Sequence, residues 1–203
     1  MSHSHTEEDK YILEYAKICT VYCSLLENAQ TFEKPDFIIK VREILALLYY
    51  KTISLPVHEC GFDGHAPQHV TEHDYEALAN ILSRKIGGND EYLEVFDARI
   101  SDSEGPFVRK ISEDLADIYQ DVKNFSLNYG VGAADVVHDS IHECINNFND
   151  YWGQNAVNVL RALHSICSGQ EELIDDEQVV TNQTKTDKTE NWLINQFFND
   201  GEK

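Results

Sequence analysis

Two tandem Asp-x-x-His units, Asp135/His138 and Asp139/His142, crowd metal-ligating side chains into little more than two turns of a would-be helix. Separations of three and four residues make such side chains neighbours on a helix surface. Two His at i and i+4 can share one divalent transition metal such as zinc, as in zinc-protease helices where a glutamate beside the first His is the base. Here the residue after His138 is Asp139, so the pattern departs from that motif. Bundle metal sites also draw ligands from other helices, for which Asp117 and His164 are conceivable. Asp135, Asp139 and Asn146 fall opposite the apolar stripe of their segment, and a solvated face accounts for them equally well.

A second set lies in a stretch broken by Pro56, Gly61, Gly64 and Pro67: His58, Glu59, Cys60, Asp63, His65, His69 and His73. His65, His69 and His73 recur every four residues, so a helix would stack all three on one side. Pro67 inside the stretch opposes a helix, the spacing fits no standard zinc module, and an exposed, unliganded loop is the default. The third set is acidic. Asp114, Asp117 and Asp121 share one side of a strongly periodic segment. Paired carboxylates can do acid–base work when burial holds one protonated. Against that stands a structural polar network of Asp114, Asp117, Asp121, Arg161, His164 and Trp152, with the Arg161 guanidinium held by carboxylates and His164 one turn on. The structural reading is preferred.

These residues need helices to position them. Ile12, Ala16, Cys19, Cys23 and Leu26 mark one helical face, with a capping pattern at Thr6 to Asp9. A second helix opens at Pro35, with Ile38, Val41, Leu45, Leu48 and Tyr49 inward. Thr71 to Asp74 predicts a cap for a third helix, which Gly87 and Gly88 stop. After a polar linker over Asn89 to Gly105, with a short helical or extended piece near Tyr92 to Phe96, comes the sharpest pattern. Ile111, Leu115, Ile118, Val122, Phe125 and Tyr129 form one stripe, ended by Gly130. A fifth helix from about Ala133 to Trp152 and a sixth ending at Gly169 follow, with Gly153 read as a break or tight corner. The expectation is an all-α antiparallel bundle of about six helices over 1–169. The remainder, 170–203, reads as a flexible acidic tail: a polar linker plus a short terminal helix carrying Trp192, Leu193, Ile194, Phe197 and Phe198.

Composition narrows the function classes. The 203 residues carry 36 acidic against 16 basic side chains, a formal charge of −20. Such a surface repels polyanions, which argues against nucleic acid and anionic membrane and favours a protein partner. No apolar run approaches the ~20 residues that span a bilayer. Five cysteines, an odd number, sit mostly at apolar helical positions, which fits reduced thiols and a cytoplasmic location. Phosphate-binding loops, a Gly-x-Ser-x-Gly turn and a Cys-x-x-Cys pair are missing from the sequence.

Two segments carry a resemblance. Glu113-Asp114-Leu115-Ala116-Asp117-Ile118-Tyr119, continuing through Asp121-Val122-Lys123, and Trp152-Gly153 followed by Ala156-Val157 and by Leu160-Arg161-Ala162-Leu163-His164 resemble an uncharacterised bacterial family, a helical domain of unknown function. The resemblance implies a helical fold and brings no reaction, cofactor or catalytic residue. Gly153-Gln154-Asn155 departs from it, since a more basic or His-bearing stretch is expected there. The sequence thus points to a non-catalytic cytoplasmic protein, without cofactor, that acts through protein–protein contacts. The rival is a metal-binding protein or metal-dependent enzyme using His138, His142 and the neighbouring aspartates.

Overall fold

A computed structural model describes residues 2–56, 66–94 and 107–173 of the chain, with side chains from residue 10 onward. His58, Glu59, Cys60, Asp63 and His65 lie outside the described residues, as does the Trp192–Phe198 cluster. The described part is mainly helical: α1 Ser2–Glu27, α2 Lys34–Ile53, α3 Glu72–Ile86, α4 Ile111–Val131, α5 Ala134–Asn147 and α6 Gly153–Cys167. Two strands, β1 Glu91–Glu94 and β2 Phe107–Lys110, pair antiparallel with Tyr92 opposite Arg109 and Leu93 opposite Val108. The expected polar linker therefore contains a hairpin. No helix among the described residues is long and apolar enough to cross a membrane.

Local chemistry sets the helix ends. Pro35 stands in the first turn of α2, where its missing amide hydrogen costs nothing. Thr71 and Asp74 form a full capping box: each side chain accepts from the other residue's backbone N–H, at 3.2 and 3.0 Å. The Thr6–Asp9 pattern is not a cap, since α1 is already under way from Ser2. α4 is capped from a distance. Asp90 accepts Ser112 N and Ser112 Oγ at 2.8 and 2.7 Å, placing a carboxylate at the positive end of the helix. Gly132, at φ 74°, ends α4 in the left-handed conformation two residues beyond the expected stop at Gly130.

α4 is the central element, and α1, α3, α5 and α6 all pack on it; α2 packs on α1 and α6. Its stripe of Ile111, Leu115, Ile118, Val122 and Phe125 is buried throughout. Each such side chain contributes roughly 1.5–3 kcal/mol on burial. Tyr15 stacks at 5.0 Å on Phe125 while its hydroxyl meets Cys144 Sγ at 3.2 Å. Cys19, Cys23 and Cys144 are buried free thiols. Burial pushes Cys144 up to about 12 and Cys23 higher still, so both stay protonated and inert.

The expected break at Gly153 does not occur. Residues 134–167 form one helical run in which Phe148–Trp152 takes a π-helical turn between α5 and α6, so among the described residues the expected six helices are five continuous rods. Buried side chains explain the turn. Cys144, Phe148, Trp152 and Ala156 follow one another at intervals of four, and a regular 3.6-residue helix would rotate that series off the core. One wider turn restores the alignment. Phe148 then meets Trp152 edge-on at 4.6 Å, and the Trp152 indole donates to the Cys144 carbonyl at 3.2 Å. Gly153 belongs here because a Cβ would lie 2.6 Å from the Phe148 carbonyl oxygen.

Candidate functional site

Asp114, Asp117 and Asp121 rise one above another on α4, and all six carboxylate oxygens accept a hydrogen bond. Asp114 Oδ2 takes the Tyr92 hydroxyl at 2.5 Å, and Oδ1 takes the Arg109 guanidinium. Asp117 Oδ1 takes the Tyr75 hydroxyl at 2.9 Å, and Oδ2 takes Asn155 Nδ2 at 3.3 Å. Asp121 Oδ1 takes Asn147 Nδ2 at 2.7 Å, and Oδ2 takes the Tyr151 hydroxyl. Each aspartate thus meets one tyrosine and one further donor. The donors come from the hairpin, from α3 and from the α5–α6 run, which the three carboxylates tie to α4.

The local folds deliver these donors. Tyr92 and Arg109 are cross-strand partners, so one face of the hairpin carries both onto Asp114. Two residues on, Glu94 shares that face and accepts from Asn158 on α6, whose Oδ1 in turn takes Gln154 Nε2 at 3.0 Å. Asn147 and Tyr151 stand four apart at the π turn and converge on Asp121.

Burial dominates the electrostatics. Asp114 is fully buried and is pushed up to about 6, with Tyr92 and Arg109 pulling the other way. Asp117 and Asp121 are raised by the same cause, opposed by Tyr75 and the Arg109 charge at Asp117 and by Tyr151 and Asn147 at Asp121. The hydroxyls of Tyr92, Tyr75 and Tyr151 are raised by burial and by the carboxylate each one faces, which keeps them donors. A general base needs a lone pair aimed at its substrate. Here the tyrosine, Arg and Asn donors already occupy one position on every oxygen, an arrangement suited to joining elements.

The other expected site residues are dispersed. The guanidinium on Asp114 is that of Arg109, where the sequence pointed to Arg161; Arg161 instead donates to the Leu93 carbonyl at 2.6 Å, pinning the hairpin edge to α6. His164 is exposed, and Trp152 is spent on the core. On α5, Asp135 and His138 are exposed, Asp139 and His142 are half-buried, and His142 Nε2 lies 2.9 Å from Asn146 Nδ2. Among the described residues no group of three or more His, Cys, Asp or Glu side chains could hold a metal. Of the four-residue histidine repeat, His69 and His73 do not share a helical face: His69 lies in an irregular strap after Pro67, and His73 lies in α3.

That strap, residues 66–70, is fixed to α4 and α5. Asn124 Oδ1 accepts His69 N and Val70 N at 2.7 and 3.0 Å, and Asn128 Oδ1 meets His69 Nε2 at 2.8 Å. Glu143 accepts Ala66 N at 3.2 Å and Gln68 Nε2 at 3.0 Å. Beneath it a cavity of about 10 Å³ has room for roughly one water. The larger opening lies between α3 and α4, a groove of about 410 Å³. Val70, Ala77, Leu78, Ile81 and Leu127 give it an apolar lining. At its rim Glu27 accepts both Lys123 Nζ and the Tyr119 hydroxyl at 2.7 Å, and Asp74 adds a second carboxylate.

Fold and site together define a mainly helical domain in which Asp114, Asp117 and Asp121 act as internal joints. The chain belongs to the DUF5063 family, a domain of unknown function, which it matches over residues 6–168. That match takes in the first three helices as well as the two segments that carry the resemblance. The chain is also similar to protein BF1032 from Bacteroides fragilis, whose crystal structure superposes with a TM-score of 0.70 at 36% identity, covering 78% of this chain and 92% of that one. A comparison with curated proteins finds no match.

Proposed function

We propose that this is a non-catalytic cytoplasmic protein that works through protein–protein contacts, with its helices packed as an antiparallel bundle. The α3–α4 groove carries the reading. It has an apolar lining with Glu27, Asp74 and Lys123 at the rim, and its volume of about 410 Å³ suits a few large side chains. The occupant that fits is an apolar segment of a partner protein flanked by Lys or Arg, drawn by a chain of formal charge −20. The occupied oxygens of Asp114, Asp117 and Asp121 support the absence of catalysis.

The test has two stages. A photo-cross-linking side chain replaces Leu127 in the producing cell, and the adduct identifies the partner. The purified partner is then titrated against the intact chain and against Ile81→Asp. The reading expects adducts to one other protein and an affinity at least ~10-fold weaker for the variant. Adducts to no other protein, or equal affinities, overturn it.

A further inference from the structure

We infer that the outer face of α2 is a dimer seam, on which a second copy of this chain packs antiparallel across a two-fold axis at Ala46. The face is separate from the α3–α4 groove, whose lining includes no residue of α2. α2 is apolar on two opposite sides. Phe37, Val41, Ile44 and Leu48 are buried in the core. Ile39, Glu43, Ala46, Tyr50 and Ile53, spaced four, three, four and three apart, run along the far side and are all exposed. Ile39, Tyr50 and Ile53 keep 40, 59 and 56% of their accessible surface. Apolar stripes on both sides are the pattern of a helix covered on both sides. The alternation of four and three is the spacing by which two helices pack along a common seam.

Charge permits a second copy at this face. The chain carries 36 acidic against 16 basic residues, so two copies repel over most of their surfaces. α2 reverses that balance, with Lys34, Lys40, Arg42 and Lys51 against Asp36 and Glu43. Among the six helices it has the largest excess of basic over acidic side chains.

The order of residues along the stripe favours a copy over a different protein. Ile39 and Ile53 stand seven residues either side of Ala46, about 10 Å along the helix at 1.5 Å per residue. With the second copy antiparallel about that point, each Ile39 faces the other copy's Ile53. The small Ala46 side chains let the two backbones approach at the centre. Each Glu43 then comes within about 1.5 Å, along the axis, of the height of the other copy's Tyr50. That sets carboxylate beside phenol, the pairing that Asp114, Asp117 and Asp121 each make inside the molecule. A parallel pair would instead set Glu43 against Glu43, which like-charge repulsion opposes. The two-fold uses one patch twice and closes, so both stripes are covered.

The experiment is sedimentation velocity on the intact chain from nanomolar to high micromolar concentration. We expect a monomer–dimer equilibrium, weakened at least ~10-fold by Ala46→Glu, which places two carboxylates on the axis. Ala46 is exposed, and an unchanged far-UV spectrum checks that the variant folds. Val131→Glu adds the same charge at an exposed position of α4 and should leave the dimer as it is. Air oxidation reads the orientation. Ala46→Cys should give a disulfide-linked dimer, whereas Ile53→Cys, whose two copies stand about 20 Å apart, should add no link beyond that of the unsubstituted chain. A chain that stays monomeric throughout overturns the inference and leaves the face to a different protein. A dimer that both Glu variants weaken equally, or that Ile53→Cys links as readily as Ala46→Cys, overturns it too.

Discussion

Replacing Gly153 by alanine should destabilise this protein, although the same change inside an ordinary helix does the opposite. Glycine in a helix interior is less favourable than alanine by about 1 kcal/mol, because its backbone loses more freedom on folding. At Gly153 a Cβ would stand 2.6 Å from the Phe148 carbonyl oxygen and 3.0 Å from its ring, the first contact being backbone. Relieving such a clash means unwinding the π turn or shifting Phe148 off Trp152, at the ~1–3 kcal/mol typical of overpacking. With the propensity gain subtracted, the net loss is about 1 kcal/mol. Gly130 supplies the control. It lies in α4, and a methyl group there would meet nothing within 4 Å, so Gly130→Ala should gain up to about 1 kcal/mol. Urea unfolding of both variants, with matched m values, measures the pair. If Gly153→Ala is as stabilising as Gly130→Ala, the helical run has no π turn and the explanation offered for it fails.

Other consequences are testable in the same way. Tyr92→Phe strips a donor from the fully buried Asp114 and should cost about 1–3 kcal/mol, with Tyr75→Phe and Tyr151→Phe costing less because Asp117 and Asp121 are half-buried. Thermal midpoints in any other order count against the scheme. Burial holds Asp114 at about 6 in the folded protein, above its ordinary 3.8, so the folded form binds that proton more tightly. Its contribution to stability is full below about pH 4 and is lost as pH rises through 6. Asp114→Asn should therefore reduce the fall in stability across that window, and an unchanged pH profile would refute the assignment. Asn124→Ala leaves the His69 and Val70 amides without an acceptor, and hydrogen exchange at those two positions should accelerate while α1 and α2 keep their protection. Protein purified without a tag should hold no stoichiometric metal. A metal retained in the intact chain and lost on His142→Ala would restore the rival reading.

Where neighbours in sequence decide the structure, the sequence was informative. The α4 stripe, the Thr71–Asp74 box and Pro35 at the head of α2 all act within a turn or two of helix, the range over which a one-dimensional pattern carries information. The first strand overlaps the short helical or extended piece expected near Tyr92 to Phe96, but its partner strand and their pairing escaped because each strand has only four residues, too few for an alternation to stand out. The missing second strand hid Arg109 and with it the partner of Asp114. Arg161 was the natural candidate as the lone cation of an apolar helical stretch, but nothing in its spacing reports the Leu93 carbonyl across the fold. Gly153 illustrates a sign that could have been read. Glycine suggested a break, whereas the run of fours from Cys144 to Ala156 already called for a wider turn with room for no side chain. The aspartates were recognised as one row; their tyrosines were not, because Tyr75, Tyr92 and Tyr151 reach them from three separate elements.

The interpretation of Asp114, Asp117 and Asp121 as joints is tested most directly by double-mutant cycles on Asp114/Tyr92, Asp117/Tyr75 and Asp121/Tyr151, read by urea unfolding. Favourable coupling of at least ~0.5 kcal/mol in each pair, largest for Asp114/Tyr92, is the expected result. Coupling near zero in all three would mean that the tyrosines do not hold the helices through these carboxylates.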